Sequence, residues 1–256
     1  MSNMILHSGG KAVSYKDLGS VPIPTATDSY KPVPYQDVID HVESRVHKLL
    51  DREVSRKQFG LSRKGMQMFG VLTVDMGDSE SDLAIGCRQS YDKSIALGLA
   101  SGAGVTVCDN LCFDGDSFKV VRKNTKNVWE EFQTLCDEAI SKAPGFFESI
   151  QSDFRVMKAI NVEETRGAEI IGVAQYENVL RPQQANIAFR DWKTPRHREF
   201  SARNMWSLYQ CFTEALKHGP AGSTMERHKS THIFFKDQVS GLPDEVLTEV
   251  FAAINH

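Results

Sequence analysis

The order of strand-like and helix-like patterns is the feature that most constrains the fold of this chain. Residues 54–125 contain short runs of β-favouring residues separated by turn residues, whereas residues after Thr125 follow a helical periodicity. A parallel βαβ fold needs the two patterns in alternation, because each parallel strand requires a crossover connection. The segregated order therefore predicts an α+β fold, a mainly antiparallel sheet from the first half packed by helices from the second half.

The strand-rich part predicts roughly five strands with short connections. VSRKQFGL and GMQMFGVLTVDM flank the turn-like SRKG and indicate a hairpin, and SDLAIGCRQS indicates the third strand. We predict a short helix at SIALGLA, a strand at GVTVCD, and a turn followed by a strand in DGDSFKVVRKNT. All of these lie close enough in sequence to pair as antiparallel neighbours.

The helical pattern is clearest where apolar residues recur every three to four positions. Pro144 is predicted to end one helix, and Asn161 with Glu164 resembles a capping box that starts another. The predicted helices cover 37–51, 129–143, 146–160, 162–176, 205–216 and the C-terminal PDEVLTEVFAAIN.

The chain divides into an irregular N-terminal arm, residues 1–34, and a single α+β domain, residues 35–256. Within the domain, residues 35–125 form a helix plus the strand-rich part, and residues 126–256 form the helical part. The arm is predicted to be irregular because it contains four prolines, which block helices and central strands. They are Pro22, Pro24, Pro32 and Pro34.

Composition excludes several classes of protein. The formal net charge of −3 argues against coating nucleic acid through bulk charge, although a local basic patch is compatible with it. No stretch approaches the roughly 18–20 apolar residues that cross a bilayer, so no membrane partner is predicted. We expect a cytoplasmic protein of a bacterial host cell, with its five cysteines reduced.

The glycines of RQSYDKSIALGLASGAGVTVCDNLCF suggest a phosphate loop at first sight. Such a loop follows a strand and opens a helix, whereas here the glycines precede the strand. We therefore predict that Gly102 and Gly104 form a turn into a buried strand. Cys108 and Cys112 lack the second cysteine pair of a structural zinc site, so no metal and no cofactor is predicted.

Acidic residues leave one enzymatic alternative open. Asp75 and Asp109 each end a predicted strand, so they could converge on Mg²⁺ as in a metal-dependent nuclease. DMGDSESD and DGD are equally typical of exposed loops. No nucleophile paired with a histidine stands out, and we assign no catalytic residue.

Three basic segments with interspersed aromatic residues favour contact with single-stranded nucleic acid. Cations neutralise phosphates and aromatic rings stack on unpaired bases, although basic loops are also common solvated surface, and Trp192 could belong to the core. The predicted nucleic-acid-binding residues are Arg63, Lys64, Lys119, Arg122, Lys123, Lys126, Arg190, Trp192, Lys193, Arg196, Arg198 and Arg203.

Three blocks resemble a protein family of unknown function carried on prophages and plasmids. GCRQSYDKSIALGLASGAGVTVCDNLCF is similar to its signature, HREFSARNMWSLYQCFTEALK to a second block, and SYKPVPYQDVID to an early segment. Gln89 departs from the Asn usual there. The resemblance implies a mobile-element setting and supplies no catalytic residue. The structural-motif positions are Arg88, Ser90, Asp92, Gly102, Gly104, Asp109 and Asn110, of which the five polar residues need hydrogen-bond partners if they are buried.

The sequence therefore predicts a non-enzymatic accessory protein of mobile-element DNA metabolism that binds single-stranded nucleic acid. A module that binds a host or defence protein, and a metal-dependent nuclease, are the alternatives. A distant likeness in layout to single-strand annealing proteins, which form rings, makes a homo-oligomer an open possibility.

Overall fold

The structure is a computed structural model, and it describes residues 10–78, 81–105, 110–120, 126–219 and 223–254. For residues 105, 110–120, 224 and 225 it describes the backbone alone. The elements confirm an α+β fold in which an antiparallel sheet from the first half is packed by helices from the second half.

The described strands and helices follow one another in two blocks. The strands are β1 (Lys11–Val13), β2 (Val54–Ser62), β3 (Gln67–Val74), β4 (Ser81–Ser90), β5 (Gly98–Val105) and β6 (Asn110–Val120). The helices are α1 (Tyr15–Gly19), α2 (Tyr35–Leu50), α3 (Val128–Ala159), α4 (Glu164–Tyr176), α5 (Pro182–Lys193), α6 (Met205–Leu216), α7 (Thr224–Ser240) and α8 (Asp244–Ile254).

The sheet is an antiparallel meander in the order β1-β2-β3-β4-β5-β6. The predicted hairpin is confirmed, since Ser62 pairs with Gln67 across the turn at Arg63–Gly65. The strand predicted at SDLAIGCRQS is also confirmed as β4. β1 belongs to the arm, so the prediction of an irregular arm is wrong for residues 11–19, which pair with β2 and then form α1.

One face of the sheet carries the main core. Along β3 and β4 the fully buried Met68, Leu72, Ile85 and Cys87 lie on the same face, because antiparallel partners and alternate residues share a side. α3 packs across β5 and β6 on one side of α2, and its buried residues join the same cluster. The sheet and the helices therefore share one continuous core.

The glycine-rich block is a strand and not a turn. Gly98 to Val105 forms β5, in which Gly102 pairs with Ala84 and Gly104 with Asp82. The predictions of a helix at SIALGLA and of a turn at Gly102 and Gly104 are therefore wrong. On one face of the sheet, Ala84 and Gly86 of β4 lie opposite Gly102 and Ala100 of β5, so the two strands carry little side-chain volume there.

Two predicted helix boundaries also differ. Pro144 does not end a helix: α3 runs through it from Val128 to Ala159. The helix survives because its apolar stripe continues on both sides of the proline, and burial of that stripe outweighs one lost hydrogen bond. The capping box at Asn161 is also wrong, since α4 is capped at Glu163 without a side-chain bond and Asn161 forms a backbone bridge to Asn204.

Candidate functional site

One end of the sheet collects cations from separate parts of the chain. The β2–β3 turn and the β4–β5 connection leave the sheet at the same end, because Gln67 pairs with Ser90. β6 also finishes there, since Val120 pairs with Gly98. The exposed Arg63, Lys64, Lys93 and Lys126 define what we call the basic end.

Lys126 belongs to this group through the start of α3. The first turn of α3 packs here, with the Trp129 ring 5.3 Å from the His41 ring of α2. Lys119 lies near the same end, where its backbone pairs with Leu99. Arg122 and Lys123 were predicted in this segment and lie outside the described residues.

The backbone at the basic end is unusual. Arg63, Lys64 and Lys93 have φ angles of 47°, 59° and 60°, in the left-handed region that residues with a Cβ rarely adopt. Each such residue costs roughly 1–2 kcal/mol. The other described non-glycine residues with positive φ are Asp51 and Asn178, whose residue types tolerate this region.

A polar network stabilises the two strained connections. The Asp92 carboxylate accepts a hydrogen bond from the Ser94 backbone N–H at 3.0 Å and pairs with the Arg63 guanidinium at 3.4 Å. The Ser94 hydroxyl accepts from the Gln67 amide at 2.6 Å, and Gln67 in turn accepts from Ser62 at 2.7 Å. Burial would raise the pKa of Asp92, but hydrogen bonds from Ser94, Ser90 and Arg63 together outweigh it and lower that pKa.

Two of the resembling blocks meet beneath the basic end. The rings of Tyr35 and Tyr91 stack at 4.0 Å, and Tyr30 donates a hydrogen bond to the Tyr91 carbonyl at 2.9 Å. The Tyr35 hydroxyl donates to the Gly65 carbonyl at 3.0 Å, and the Lys93 ammonium lies 4.2 Å from the centre of the Tyr30 ring. The early segment therefore holds both connections that carry the cations.

The motif positions on β4 have structural partners. Arg88 is buried and its guanidinium lies 2.7 Å from the Glu226 carboxylate of α7, which ties that helix to the sheet. Ser90 donates to the Ile95 carbonyl at 2.9 Å and accepts from the Ile95 N–H at 3.0 Å. Asn110 begins β6, and Asp109 lies outside the described residues.

The predicted basic segment at residues 190–203 lies at the opposite end of the sheet. The Asn204 side chain, next to Arg203, donates to the Lys158 carbonyl at 3.2 Å, and Lys158 shares a cavity with Ser81 at the start of β4. β4 spans 10 residues, or about 30 Å at the usual strand rise. The predicted binding residues therefore form two separated groups and not one surface.

In this second group, the prediction that Trp192 contacts nucleic acid is wrong. Its ring is 3% exposed, and its indole N–H donates to the Glu164 carbonyl at 3.0 Å. The Arg203 guanidinium covers the ring at 4.6 Å and bonds the Trp192 carbonyl. Neither ring face is open to a base, so Trp192 is removed from the candidate set.

Arg196 is likewise held by the protein. It donates to Asp191 at 2.9 Å and to Glu214 at 3.3 Å, and Glu214 also accepts from the buried Lys217 at 2.7 Å. Arg190 pairs with Asp191 at 3.4 Å but is mostly exposed, as are Arg198 and Lys193. These contacts give the segment a structural role in fixing α5 against α6.

The cavity beside this ion-pair cluster is small. It measures about 20 Å³ and is lined by Asp191, Arg196, Phe200 and Cys211 among others. One water needs about 10–15 Å³ on the same measure, so the space holds little more than a solvent molecule. Burial raises the pKa of Cys211 to about 12, which makes its thiol a poor nucleophile at neutral pH.

The acidic alternative receives no support from the described residues. Asp75 accepts from the Gly77 N–H at 2.7 Å and Asp78 from the Ser81 N–H at 2.9 Å, as expected for loop carboxylates. Within the described ranges no group of three histidine, cysteine, aspartate or glutamate side chains is placed to hold a metal ion. Asp109 and Cys108 lie outside those ranges.

Sequence reasoning missed Lys93, although a signal was present. Asp92 and Ser94 are the residue types that form an Asx turn, and such a turn exposes the residue between them. Sequence reasoning also missed α5 and α7, which carry Arg190 and Glu226. Pro182 at the first position of α5 was the available sequence signal for that helix.

Comparison with known proteins identifies no relative. No protein-family model, no curated protein and no solved structure matches the chain. The resemblance to a family carried on prophages and plasmids therefore stays a prediction. Among the described helices, none combines the length and apolar character needed to span a bilayer.

Proposed function

We propose that this chain is a non-enzymatic accessory protein of mobile-element DNA metabolism, which binds single-stranded nucleic acid at the basic end. One observation carries the proposal. Three exposed cations, Arg63, Lys64 and Lys93, come from two separate connections and meet at one end of the sheet in left-handed backbone conformations.

Backbone strain at these three positions indicates that the cations have a function and are not ordinary solvated surface residues. A solvated lysine or arginine gains nothing from a left-handed backbone, and glycine or asparagine would fill the same turns at lower cost. Strained residues persist where the surrounding structure fixes them, and they concentrate at binding sites. Here the Asp92 network and the tyrosine stack supply that support.

The predicted contacts are to phosphates and not to bases. The rings of Tyr30, Tyr35 and Tyr91 lie beneath the two connections, and each is buried. They hold the connections in place and present no free face for stacking. Binding is therefore expected to be independent of sequence and strongly weakened by salt, as for counterion release from a phosphate backbone.

Because the net charge of the chain is −3, attraction of nucleic acid has to come from the local cations of the basic end. Bulk attraction is absent, so loss of a few local cations should remove most of the affinity. The mobile-element setting rests on the resembling sequence blocks. Two of these blocks, the early segment and the motif on β4, form the base of the basic end.

A triple variant tests the proposal directly. Arg63→Asn, Lys64→Asn and Lys93→Asn remove the charges while asparagine tolerates positive φ, so the turns are retained. Anisotropy of a labelled oligothymidylate, titrated with salt, measures binding. Three lost phosphate contacts should make the slope of log K against log salt shallower by about 2, at about 0.7 per contact.

A second triple variant controls for overall charge. Lys48→Gln, Lys142→Gln and Arg166→Gln remove three exposed cations from helices away from the basic end. This variant should keep the wild-type slope. The proposal fails if the wild type does not retain single strands at low salt, or if both triple variants bind alike. A nuclease-resistant complex with a host protein would then favour the protein-binding alternative.

A further inference from the structure

A cleft near the end of α3, away from the basic end, has the composition of a small-molecule site. It measures about 190 Å³ and lies between α3, α7 and α8. Its lining combines apolar side chains with charged or polar ones. The apolar lining is Val156, Met157, Val239 and Phe251, and the polar lining is Ser152, Asp153, Lys236 and Ser240.

The apolar lining includes one large ring that is about half exposed. Phe251 is 47% exposed although it lies on α8, which packs against α3. Val156 and Met157 from α3 and Val239 from α7 complete the apolar lining. Burial of such a surface by a ligand is favourable, because it removes apolar area from water.

Among the polar lining residues, the Asp153 carboxylate is charged and is fixed in position by its neighbours. Its Oδ2 accepts from the fully buried His232 Nε2 at 3.0 Å and lies 3.4 Å from the Lys236 ammonium. The other ring nitrogen of His232 lies 3.4 Å from the Tyr209 hydroxyl, so both nitrogens of the buried ring have a polar neighbour. Although burial opposes it, the bond from His232 lowers the pKa of Asp153.

The cleft therefore presents one carboxylate and one ammonium side by side. A cationic ligand would be repelled by Lys236 and an anionic ligand by Asp153. A zwitterion satisfies both, because its ammonium pairs with Asp153 and its carboxylate with Lys236. An apolar side chain on that zwitterion would then contact Met157 and Phe251.

We propose that this cleft binds a free α-amino acid with an apolar side chain. The size agrees with this class, since drug-sized ligands occupy pockets of about 300–1,000 Å³ and the cleft is smaller. His232 acts as a positioning residue that fixes the Asp153 carboxylate. The site is independent of the basic end, so either proposal can fail alone.

Calorimetric titration of the full chain with L-leucine tests the inference, with three analogues that each lack one feature. Leucinamide lacks the carboxylate, 4-methylpentanoate lacks the ammonium, and glycine lacks the side chain. L-leucine should bind, and each analogue should bind at least about tenfold more weakly. L-phenylalanine tests how large a side chain the cleft admits.

Variants separate the cleft from adventitious binding. Lys236→Met changes a residue that is 45% exposed, so the fold should be retained, and binding of L-leucine should fall at least about tenfold. Asp153→Asn should do the same. Lys142 lies on α3, as Asp153 does, but outside the cleft. The Lys142→Met variant should therefore bind L-leucine as the wild type does.

Two results would overturn the proposal. One is the absence of measurable heat and of Tm increase with either amino acid at about 10 mM, a concentration that would detect millimolar affinity. The other is equal binding of L-leucine and leucinamide, which would remove Lys236 from recognition. Folded Lys236→Met protein that keeps wild-type affinity would lead to the same conclusion.

Discussion

Gly167 and Gly172 both lie on α4 but have different surroundings. A Cβ at Gly167 would overlap the buried Trp192 indole, whereas nothing lies within 4 Å of a Cβ at Gly172. Gly167→Ala should therefore lower the free energy of unfolding by about 1–3 kcal/mol through overpacking. Gly172→Ala should raise it by about 0.5–1 kcal/mol, because alanine favours the helix.

Urea unfolding of both variants measures this difference. The two substitutions are the same chemical change on one helix, so each serves as the control for the other. Equal effects, or a stabilising Gly167→Ala, would show that α4 does not pack on Trp192 as described.

His41 on α2 predicts a pH dependence. Its Nε2 is buried without a hydrogen-bond partner, and burial lowers the pKa of His41 although Asp137 opposes this. A folded pKa below the unfolded value of about 6.5 means that the unfolded chain binds the extra proton first. Stability that is present above this pH is therefore lost as the pH falls through about 6.5 towards 5.

His41→Leu should remove that contribution. The variant's stability relative to the wild type should be greater at pH 5.5 than at pH 8, since the leucine carries no proton and packs beside Trp129. Urea midpoints at the two pH values provide the measurement. An identical difference at both would mean that His41 titrates alike in the folded and unfolded chains.

At the scale of elements, the start of α6 depends on one side chain. The side-chain carbonyl of Asn204 accepts a hydrogen bond from the Ser207 N–H at 2.9 Å. Its side-chain amide donates to the Lys158 carbonyl at the end of α3. Asn204→Ala should cost about 0.5–2 kcal/mol of unfolding free energy, as for other N-caps. Thermal and urea unfolding of the purified variant would show it.

Asn127 provides the matched control. It occupies the N-cap of α3 but makes no side-chain capping bond, so Asn127→Ala should change stability by less than about 0.5 kcal/mol. If both variants behave alike, the cap at Asn204 does not stabilise α6.

The elements also show which parts of the secondary structure can be predicted from local sequence patterns. β2, β3, β4, α2, α4, α6 and α8 were predicted from local signals, namely β-favouring runs between turn residues, helical stripes of apolar residues and a proposed cap before α4. The continuous α3 was not predicted, since local propensity at Pro144 opposes a helix that tertiary burial stabilises. β5 was not predicted because glycines hide the alternation of Leu99 and Ala103.

At the scale of the whole molecule, one buried cluster joins the sheet to the helices. Trp129 packs beside α2, whereas Trp206 packs on Phe154 at 4.2 Å near the other end of α3. Because α3 connects both environments, we expect one cooperative unfolding transition for residues on either side of position 125.

Two single-tryptophan proteins test this expectation. One keeps Trp129 and carries Trp192→Phe and Trp206→Phe, and the other keeps Trp206 and carries Trp129→Phe and Trp192→Phe. Each variant's fluorescence midpoint in urea should coincide with its own circular dichroism midpoint. Separated transitions would instead divide the chain into independently folding parts.

The sequence by itself determined the fold class and identified the basic turn at Arg63 and Lys64. Periodicity and turn chemistry are local properties, so a single chain displays them directly. Tertiary structure alone decided which cations share a surface, because antiparallel register brings Lys93 to the β2–β3 turn and separates both from Arg203. It also decided that Trp192 is buried, since burial depends on the helices that close over it.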